Sequence, residues 1–307
     1  MNYFIGNTDL DWYSFLKQRK PEDINFWQPS GLLRFQAIGP GSPFLLKLKR
    51  PINKVAGIGF FTSHSIIPIS FAWEVFQERN GVKSFSEFYL KIKSYRNRSN
   101  PIEKNPNIGC IILTNPIFFD SEDWLTVPPD WSTNIVQGKT YNTENEIGNN
   151  YWNRINSLLQ KYQISDFKDI VNEPTPLYGK YLTKVRIGQG AFRILVTDAY
   201  LRKCSISGEK TLPVLEAAHI KPYAEFGINS TDNGLLLRAD LHKLFDNGYI
   251  TVTDKYVVEV SARIKEEFKN GRDYYKYHGK NLASLPGNSF DLPNPEYLKW
   301  HNEVLFK

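Results

Sequence analysis

The stretch Leu215-Glu216-Ala217-Ala218-His219-Ile220-Lys221-Pro222-Tyr223 decides how the C-terminal part of the chain folds, together with Asp232-Asn233-Gly234-Leu235-Leu236-Leu237 and Leu241-His242-Lys243-Leu244-Phe245-Asp246. The first segment reads as a short strand, with Val214, Leu215, Ala217 and Ala218 buried, that ends in a histidine. Asn233 opens a second apolar strand. Leu241, Leu244 and Phe245 have the i, i+3, i+4 spacing of a short amphipathic helix over 239–248, and Gly248 suits its end. A hairpin followed by a helix can bring His219, Asn233 and His242 together.

That order of residues resembles the HNH, or ββα-metal, endonuclease family, in the subfamily with Ala-Ala-His-Ile and Leu-His-x-Leu-Phe-Asp. Residues 186–193, 200–208 and 300–306 are similar to the same subfamily, so the resemblance covers about residues 180–307. It implies hydrolysis of DNA phosphodiester bonds, which needs a base to deprotonate water and a cation to neutralise charge on the phosphate and the departing oxygen. His219, fixed at a strand end and titrating near neutrality, is the expected base. His242 is the expected metal ligand, and Asn233 is expected to brace the inter-strand loop so that His219 faces the phosphate. Imidazole suits zinc, nickel or manganese, and magnesium is tolerated where water and phosphate oxygens complete the shell, so the divalent ion is left open.

One position departs from the better-known pattern. Many members place Asp or His just before the base as a second ligand, and here that residue is Ala218. Glu216, two residues back on the strand, and Asp246, one helical turn beyond His242, are the candidates for the missing oxygen. Ala218 also leaves open a non-catalytic DNA-binding protein with a remnant site. A single histidine is often just a hydrogen-bonded core residue; the ordered set argues otherwise. Lys221, Lys243 and Arg193 are candidates for backbone phosphate contacts.

The chain has 307 residues, enough for two domains, and its 41% hydrophobic and 23% charged content is ordinary for a globular protein. A net charge of +6 favours polyanionic partners. From Arg79 to Lys104 seven basic residues stand against Glu87 and Glu103. Lys91, Lys93, Arg96 and Arg98 in that run are further candidates for tracking DNA, although such a run is often only a solvated helix face. Cys110 and Cys204 are far apart, which supports neither a disulfide framework nor a cysteine zinc site and fits a reducing compartment. With no basic, then apolar, N-terminal segment and no long apolar run, a cytoplasmic protein without membrane contact is expected.

Residues 44–49, 54–61 and 109–114 read as strands, with a turn at Pro51-Ile52-Asn53, and residues 9–18, 69–79, 84–97 and 144–162 as helices. Asn172-Glu173-Pro174-Thr175-Pro176 breaks regularity. The expected architecture is α+β: a recognition domain over 1–162, a linker over 163–180 and a nuclease domain over 181–307.

Five of the seven tryptophans precede residue 140, and most aromatics will be core. Residues 25–31 and 130–141 instead read as loops mixing aromatic, amide, hydroxyl and glycine, a composition suited to holding an extruded base. Trp27, Ser30, Trp131, Gln137 and Tyr141 are the pocket candidates. The strand, loop and tryptophan layout of residues 1–160 resembles the PUA-like superfamily of EVE, ASCH and SRA domains, a curved sheet or barrel with flanking helices that reads altered bases. Joined to an HNH domain, it resembles a modification-dependent restriction endonuclease. That implies double-stranded DNA with modified cytosine as partner; since a duplex cut needs two active sites or two visits, a homodimer is expected, at least on DNA, and an HNH enzyme for an unmodified sequence is the alternative.

Overall fold

The computed structural model describes residues 1–96, 103–162, 187–226 and 229–307. It divides into two compact units, Met1–Ala191 and Phe192–Lys307. The expected linker at 163–180 and Arg98 lie outside the described residues.

The first unit runs β1 (Asn2–Thr8), α1 (Leu10–Arg19), β2 (Asp23–Gln28), β3 (Pro43–Leu48), β4 (Lys54–Pro68), α2 (Ile69–Phe76), α3 (Phe85–Tyr95), β5 (Asn107–Phe118), β6 (Leu125–Thr126), β7 (Gly138–Asn142) and α4 (Glu146–Lys161). The sheet order is β2-β5-β4-β3-β1-β7, with β6 beside β4. Only β1 and β3 pair in parallel among these described strands. β4 is 15 residues long and pairs with both β3 and β5. Two register shifts interrupt its pairing with β5, one with the extra residue on β5 and one with it on β4, and irregularities of this kind bend strands as the curved sheet expected of this half requires. Phe4, Trp12, Leu16, Phe44, Leu46, Phe61 and Leu113 fill the core against it.

Two segments expected to be loops are partly strand. Asn25–Gln28 belong to β2 and Gly138–Asn142 form β7. The polar residues that suggested loops are paired inside the fold: the buried Asn25 amide donates to Asn80 Oδ1 at 2.8 Å, and the Trp27 indole N–H donates to the Asn80 carbonyl at 3.0 Å. A polar side chain with a fixed partner is compatible with a strand interior, and sequence polarity alone does not reveal the partner.

The second unit holds most of α5 (Gln189–Ala199), then β8 (Leu215–His219), α6 (Tyr223–Phe226), β9 (Gly234–Arg238), α7 (Ala239–Asp246), β10 (Ile250–Val252), β11 (Val258–Val260), α8 (Arg263–Phe268), α9 (Arg272–Tyr275) and α10 (Pro295–Val304). β8 and β9 form one antiparallel hairpin and β10 and β11 another. Leu235, Leu236 and Leu237 are all buried, so β9 is covered on both faces by a core that includes Phe192, Val196, Tyr200, Leu241, Phe245 and Leu298. Val214 does not join it: it lies in a 3-10 turn at Leu212–Val214 and is 38% exposed. Gly248 does end α7 as its sequence suggests. Its φ is +69°, its N–H donates to the Phe245 carbonyl, and a Cβ there would meet the Leu305 carbonyl at 1.9 Å.

Both cysteines are buried, and neither is in a disulfide among the described residues. The Cys204 sulfur accepts from the backbone N–H groups of Ser207 and Arg238, so one thiol holds a turn in this unit. Buried His301 pins α10. Its Nε2 donates to the Phe245 carbonyl at 3.1 Å, its Nδ1 accepts from the Thr251 hydroxyl at 2.8 Å, and its ring stacks on Phe245 at 3.7 Å. Burial pushes its pKa down to about 4. Among the described residues no helix is long and apolar enough to cross a membrane.

Candidate active site

β8 pairs with β9 in the register Glu216↔Leu237, Ala218↔Leu235 and His219↔Gly234. Alternation puts Glu216 and Ala218 on one face of this hairpin, and Ala218 is fully buried. The position that carries a ligand elsewhere is therefore packed into the core here, and Glu216, one pleat back, is the acidic residue on that face. α7 follows β9 directly and brings His242 to it: Nδ1 lies 2.7 Å from Glu216 Oε2 and Nε2 lies 3.3 Å from Asp246 Oδ2. The two carboxylates proposed as ligands from sequence thus flank the His242 ring on opposite nitrogens, Glu216 at Nδ1 and Asp246 at Nε2.

His219 sits at the end of β8, its ring stacked on Phe192 with centroids 4.0 Å apart and planes within 8°, and tilted against Tyr223. Its Nε2 is 2.7 Å from Asn229 Oδ1. An amide oxygen only accepts, so Nε2 carries the hydrogen and Nδ1 keeps its lone pair. Burial, and the nearby charge of His242, lower the His219 pKa, against an opposing contribution from Asn229. His219 is thus neutral at pH 7, the form that can take a proton.

Asn233 is fully buried and does not touch His219 through any described bond. Its Oδ1 accepts from the Lys221 N–H at 2.9 Å and its Nδ2 donates to the Lys221 carbonyl at 3.0 Å, which closes the loop that carries His219. The same loop is held from the C-terminal side, where Thr231 donates to Asp291 at 2.6 Å and the Asn294 N–H donates to the Asp232 carbonyl. Bracing, the role expected of Asn233, is what its bonds perform.

Asn229 and Phe192 orient the histidine and were not singled out from sequence. Phe192 falls within the segment quoted as leading into the site, but nothing in its spacing indicates a stacking partner. Asn229 lies in a loop with no periodicity, and only its chemistry, an amide ten residues after a histidine, could have drawn notice.

Among the described residues no group of three or more His, Cys, Asp or Glu is arranged as a ready-made cation cage. The donor chemistry still fits a divalent ion bound at one ring nitrogen of His242 together with the carboxylate beside it, water and phosphate oxygens completing the shell, while the other carboxylate orients the ring from its far nitrogen. The Glu216 and Asp246 side chains are 47% and 54% exposed, which leaves room for water and phosphate oxygens. Desolvation first, then repulsion from Glu216, raises the Asp246 pKa against the opposing pull of His242, and a cation would relieve that crowding of negative charge.

Of the candidate phosphate contacts in this unit, Lys243 is exposed beside His242. The Lys221 ammonium instead lies over the rings of Phe226, Tyr297 and Trp300 at 5.0–5.7 Å, and Arg193 reaches the Leu215 carbonyl. In the first unit, Lys91 and Lys93 lie on α3, and the Arg96 guanidinium that follows is bonded to the carbonyls of Pro29 and Asn107. The base-pocket candidates divide. Trp27 is on β2 and Tyr141 on β7, the two ends of the sheet order. Trp27 packs on Phe88 and Tyr95, and Ser30 is exposed just beyond β2. Tyr141 is buried, stacked on Tyr3 and bonded to Asp130, while Trp131 lies under the Lys47 ammonium and Gln137 is exposed.

Residues 204–253 match the family described as HNH endonuclease. A search of curated proteins finds no match. Solved structures that share similarity include the ASCH protein of Zymomonas mobilis, at 10% identity over 37% of this chain and 67% of that one, with a TM-score of 0.26. A single-substitution variant of that protein aligns at 8% identity over 52% of this chain and 94% of that one, with a TM-score of 0.31. A modification-dependent restriction endonuclease, TagI, aligns at 12% identity over 86% of this chain and 61% of that one, with a TM-score of 0.28. All three superpositions are loose. The family match covers both strands of the β8–β9 hairpin and α7, together with His219, Asn233 and His242, and an HNH endonuclease domain therefore occupies residues 204–253 of this chain.

Proposed function

We propose that this chain is a divalent-metal-dependent DNA endonuclease directed to double-stranded DNA carrying modified cytosine, acting in the cytoplasm to restrict foreign DNA and working as a homodimer on its substrate. The observation that carries the nuclease reading is the pairing of a neutral His219, Nε2 bonded and Nδ1 open, with the Glu216–His242–Asp246 cluster on the same hairpin and helix.

In this reading His219 Nδ1 takes the proton from the attacking water. Asn229 fixes the ring's tautomer and Phe192 its plane, so the lone pair keeps one direction. Asn233 holds the loop that carries the base. His242, with either Glu216 or Asp246 beside it, would hold the cation, which when bound would neutralise charge on the scissile phosphate and the departing oxygen, and the other carboxylate would orient the ring. Lys243 is suited to a neighbouring phosphate.

Phosphate contacts position an enzyme without specifying sequence, so selectivity is assigned to residues 1–162. Cutting both strands needs two centres, which is the ground for a dimer. Digestion of matched DNAs containing unmodified cytosine, 5-methylcytosine, 5-hydroxymethylcytosine or glucosylated cytosine, each with magnesium, manganese, nickel or zinc, tests this reading. Cleavage confined to one or more modified DNAs is expected, and equal cutting of all four DNAs would remove the dependence on modification.

A further inference from the structure

The first unit contains a cluster of buried polar atoms that the fold does not use. Gln28 Oε1 and both ring nitrogens of His64 are shielded from solvent and have no hydrogen-bond partner among the described residues. Buried polar groups are seldom left unpaired, because the desolvation penalty is then uncompensated. The three atoms belong to one place. Gln28 on β2 is opposite Gly109 on β5, Ile66 on β4 is opposite the same glycine, and His64 precedes Ile66 by one pleat, so all four positions share a face. A Cβ on Gly109 would lie 2.9 Å from both Gln28 Oε1 and His64 Nε2. Glycine thus leaves open the floor between an amide and an imidazole. Phe26 and Ile111, one pleat further along β2 and β5, belong to the hydrophobic core, so the cluster sits at its mouth.

The loop that follows β2 adds an independent observation. Leu32 and Leu33 are 88% and 79% exposed, two adjacent large apolar side chains in water, followed by an exposed Arg34 whose charge is felt at His64. Burial, and after it Arg34, push the His64 pKa down to about 4, so the ring is neutral, with one N–H to donate and one lone pair.

We propose that Gln28, His64 and the bare floor at Gly109 seat the pairing edge of an extruded cytosine, and that Leu32 and Leu33 are the wedge that fills the gap it leaves in the duplex. The chemistry selects the base. The open Gln28 carbonyl needs a donor, which the cytosine exocyclic amine supplies, and the neutral imidazole N–H needs an acceptor, which ring N3 supplies. Thymine and uracil present a carbonyl oxygen where cytosine has its amine, opposite the Gln28 oxygen. Exposed leucines inserted between base steps are a recurrent way of holding a duplex open, and Arg34 is placed for a flanking phosphate. The seat rests on the reading of the chain as directed to modified cytosine, and it differs from the tryptophan and tyrosine candidates suggested by sequence.

The test uses the full chain in EDTA, with duplexes bearing a single 5-hydroxymethylcytosine, 5-hydroxymethyluracil, 5-methylcytosine or cytosine, and with 2-aminopurine beside the central base. The wild-type protein is expected to prefer 5-hydroxymethylcytosine to 5-hydroxymethyluracil, which has the same 5-substituent, by about tenfold, with a rise in 2-aminopurine fluorescence. His64→Ala and Gln28→Ala should bring the two within about twofold, and Leu32→Ser/Leu33→Ser should weaken binding about tenfold and quench the fluorescence rise. The leucine double variant alters only exposed side chains and serves if a buried substitution fails to fold. If the wild type discriminates modified from unmodified DNA and the His64→Ala and Gln28→Ala variants keep its preference for 5-hydroxymethylcytosine over 5-hydroxymethyluracil, the seat is refuted while the modification-dependent reading stands. If the wild type binds modified and unmodified duplexes alike, that reading fails, and the seat with it.

Discussion

Replacing Asn233 by alanine should slow DNA cleavage although the residue has no described bond to His219. The side chain makes two hydrogen bonds to a single residue, Oδ1 from the Lys221 N–H at 2.9 Å and Nδ2 to the Lys221 carbonyl at 3.0 Å. Each is worth about 1 kcal/mol net, so removing both takes about 2 kcal/mol from the conformation of the His219 loop. If that conformation is the active one and these two bonds are what favours it, its ratio to inactive conformations falls about 30-fold, and the single-turnover rate falls by up to that factor. Asn233→Asp should be no better: it keeps an acceptor for the N–H but sets a buried carboxylate against the Lys221 carbonyl. The assay is single-turnover nicking of supercoiled plasmid at saturating protein and metal, with near-UV circular dichroism to confirm that the variant is folded. A folded Asn233→Ala protein that nicks within threefold of the wild type would refute the bracing role.

Three further outcomes follow from the same geometry. Because His219 is held below the ordinary imidazole pKa and acts in its neutral form, the acid limb of the single-turnover rate should lie below pH 6.5, and a limb at or above that value would contradict the environment described for the ring. Glu216→Gln and Asp246→Asn should each raise the manganese concentration needed for half-maximal nicking by about tenfold, since each removes a charged oxygen from the cluster, and an unchanged metal titration would exclude that carboxylate as a ligand. His301 is neutral in the folded state down to about pH 4, whereas an unfolded histidine protonates near 6.5, so its contribution is complete above pH 6.5 and is lost as pH falls toward 4. That shift corresponds to about 3 kcal/mol, and His301→Gln, although less stable at pH 7, should lose less stability than the wild type between pH 7 and 4.5; parallel Tm curves would sink the assignment.

The β8–β9 hairpin and α7 were legible because each has a periodic apolar pattern with a polar residue at its edge. Leu215 and Ala218 face the core, Leu241 and Phe245 fix the buried side of the helix, and His219 and His242 fall where those patterns leave them. Glu216 could be proposed as a substitute for the residue at 218 because alternation puts both on one face. The pairing of His219 with Asn229 was not legible, since it joins a strand end to an aperiodic loop and depends on how that loop is anchored by Thr231, Asp291 and Asn294. In the first unit the long apolar strands are legible, but β2 and most of β7 read as loops because they mix aromatics with amide, hydroxyl and glycine residues such as Asn25, Gln28, Gly138 and Thr140. Their partners come from distant segments, as when Asn142 bonds Asn2 and Asn25 bonds Asn80. The unpaired His64 and Gln28 were equally hidden, because an atom without a partner can be recognised only once its surroundings are known.

Plasmid nicking by the purified chain, with and without a divalent ion, and by His219→Ala and His242→Ala, tests the central claim most directly. The account predicts nicking of a modified substrate that EDTA abolishes, that His219→Ala reduces by at least about a hundredfold, and that His242→Ala loses unless metal is raised, with DNA binding retained by both variants. Nicking that persists undiminished in EDTA or in His219→Ala would contradict it.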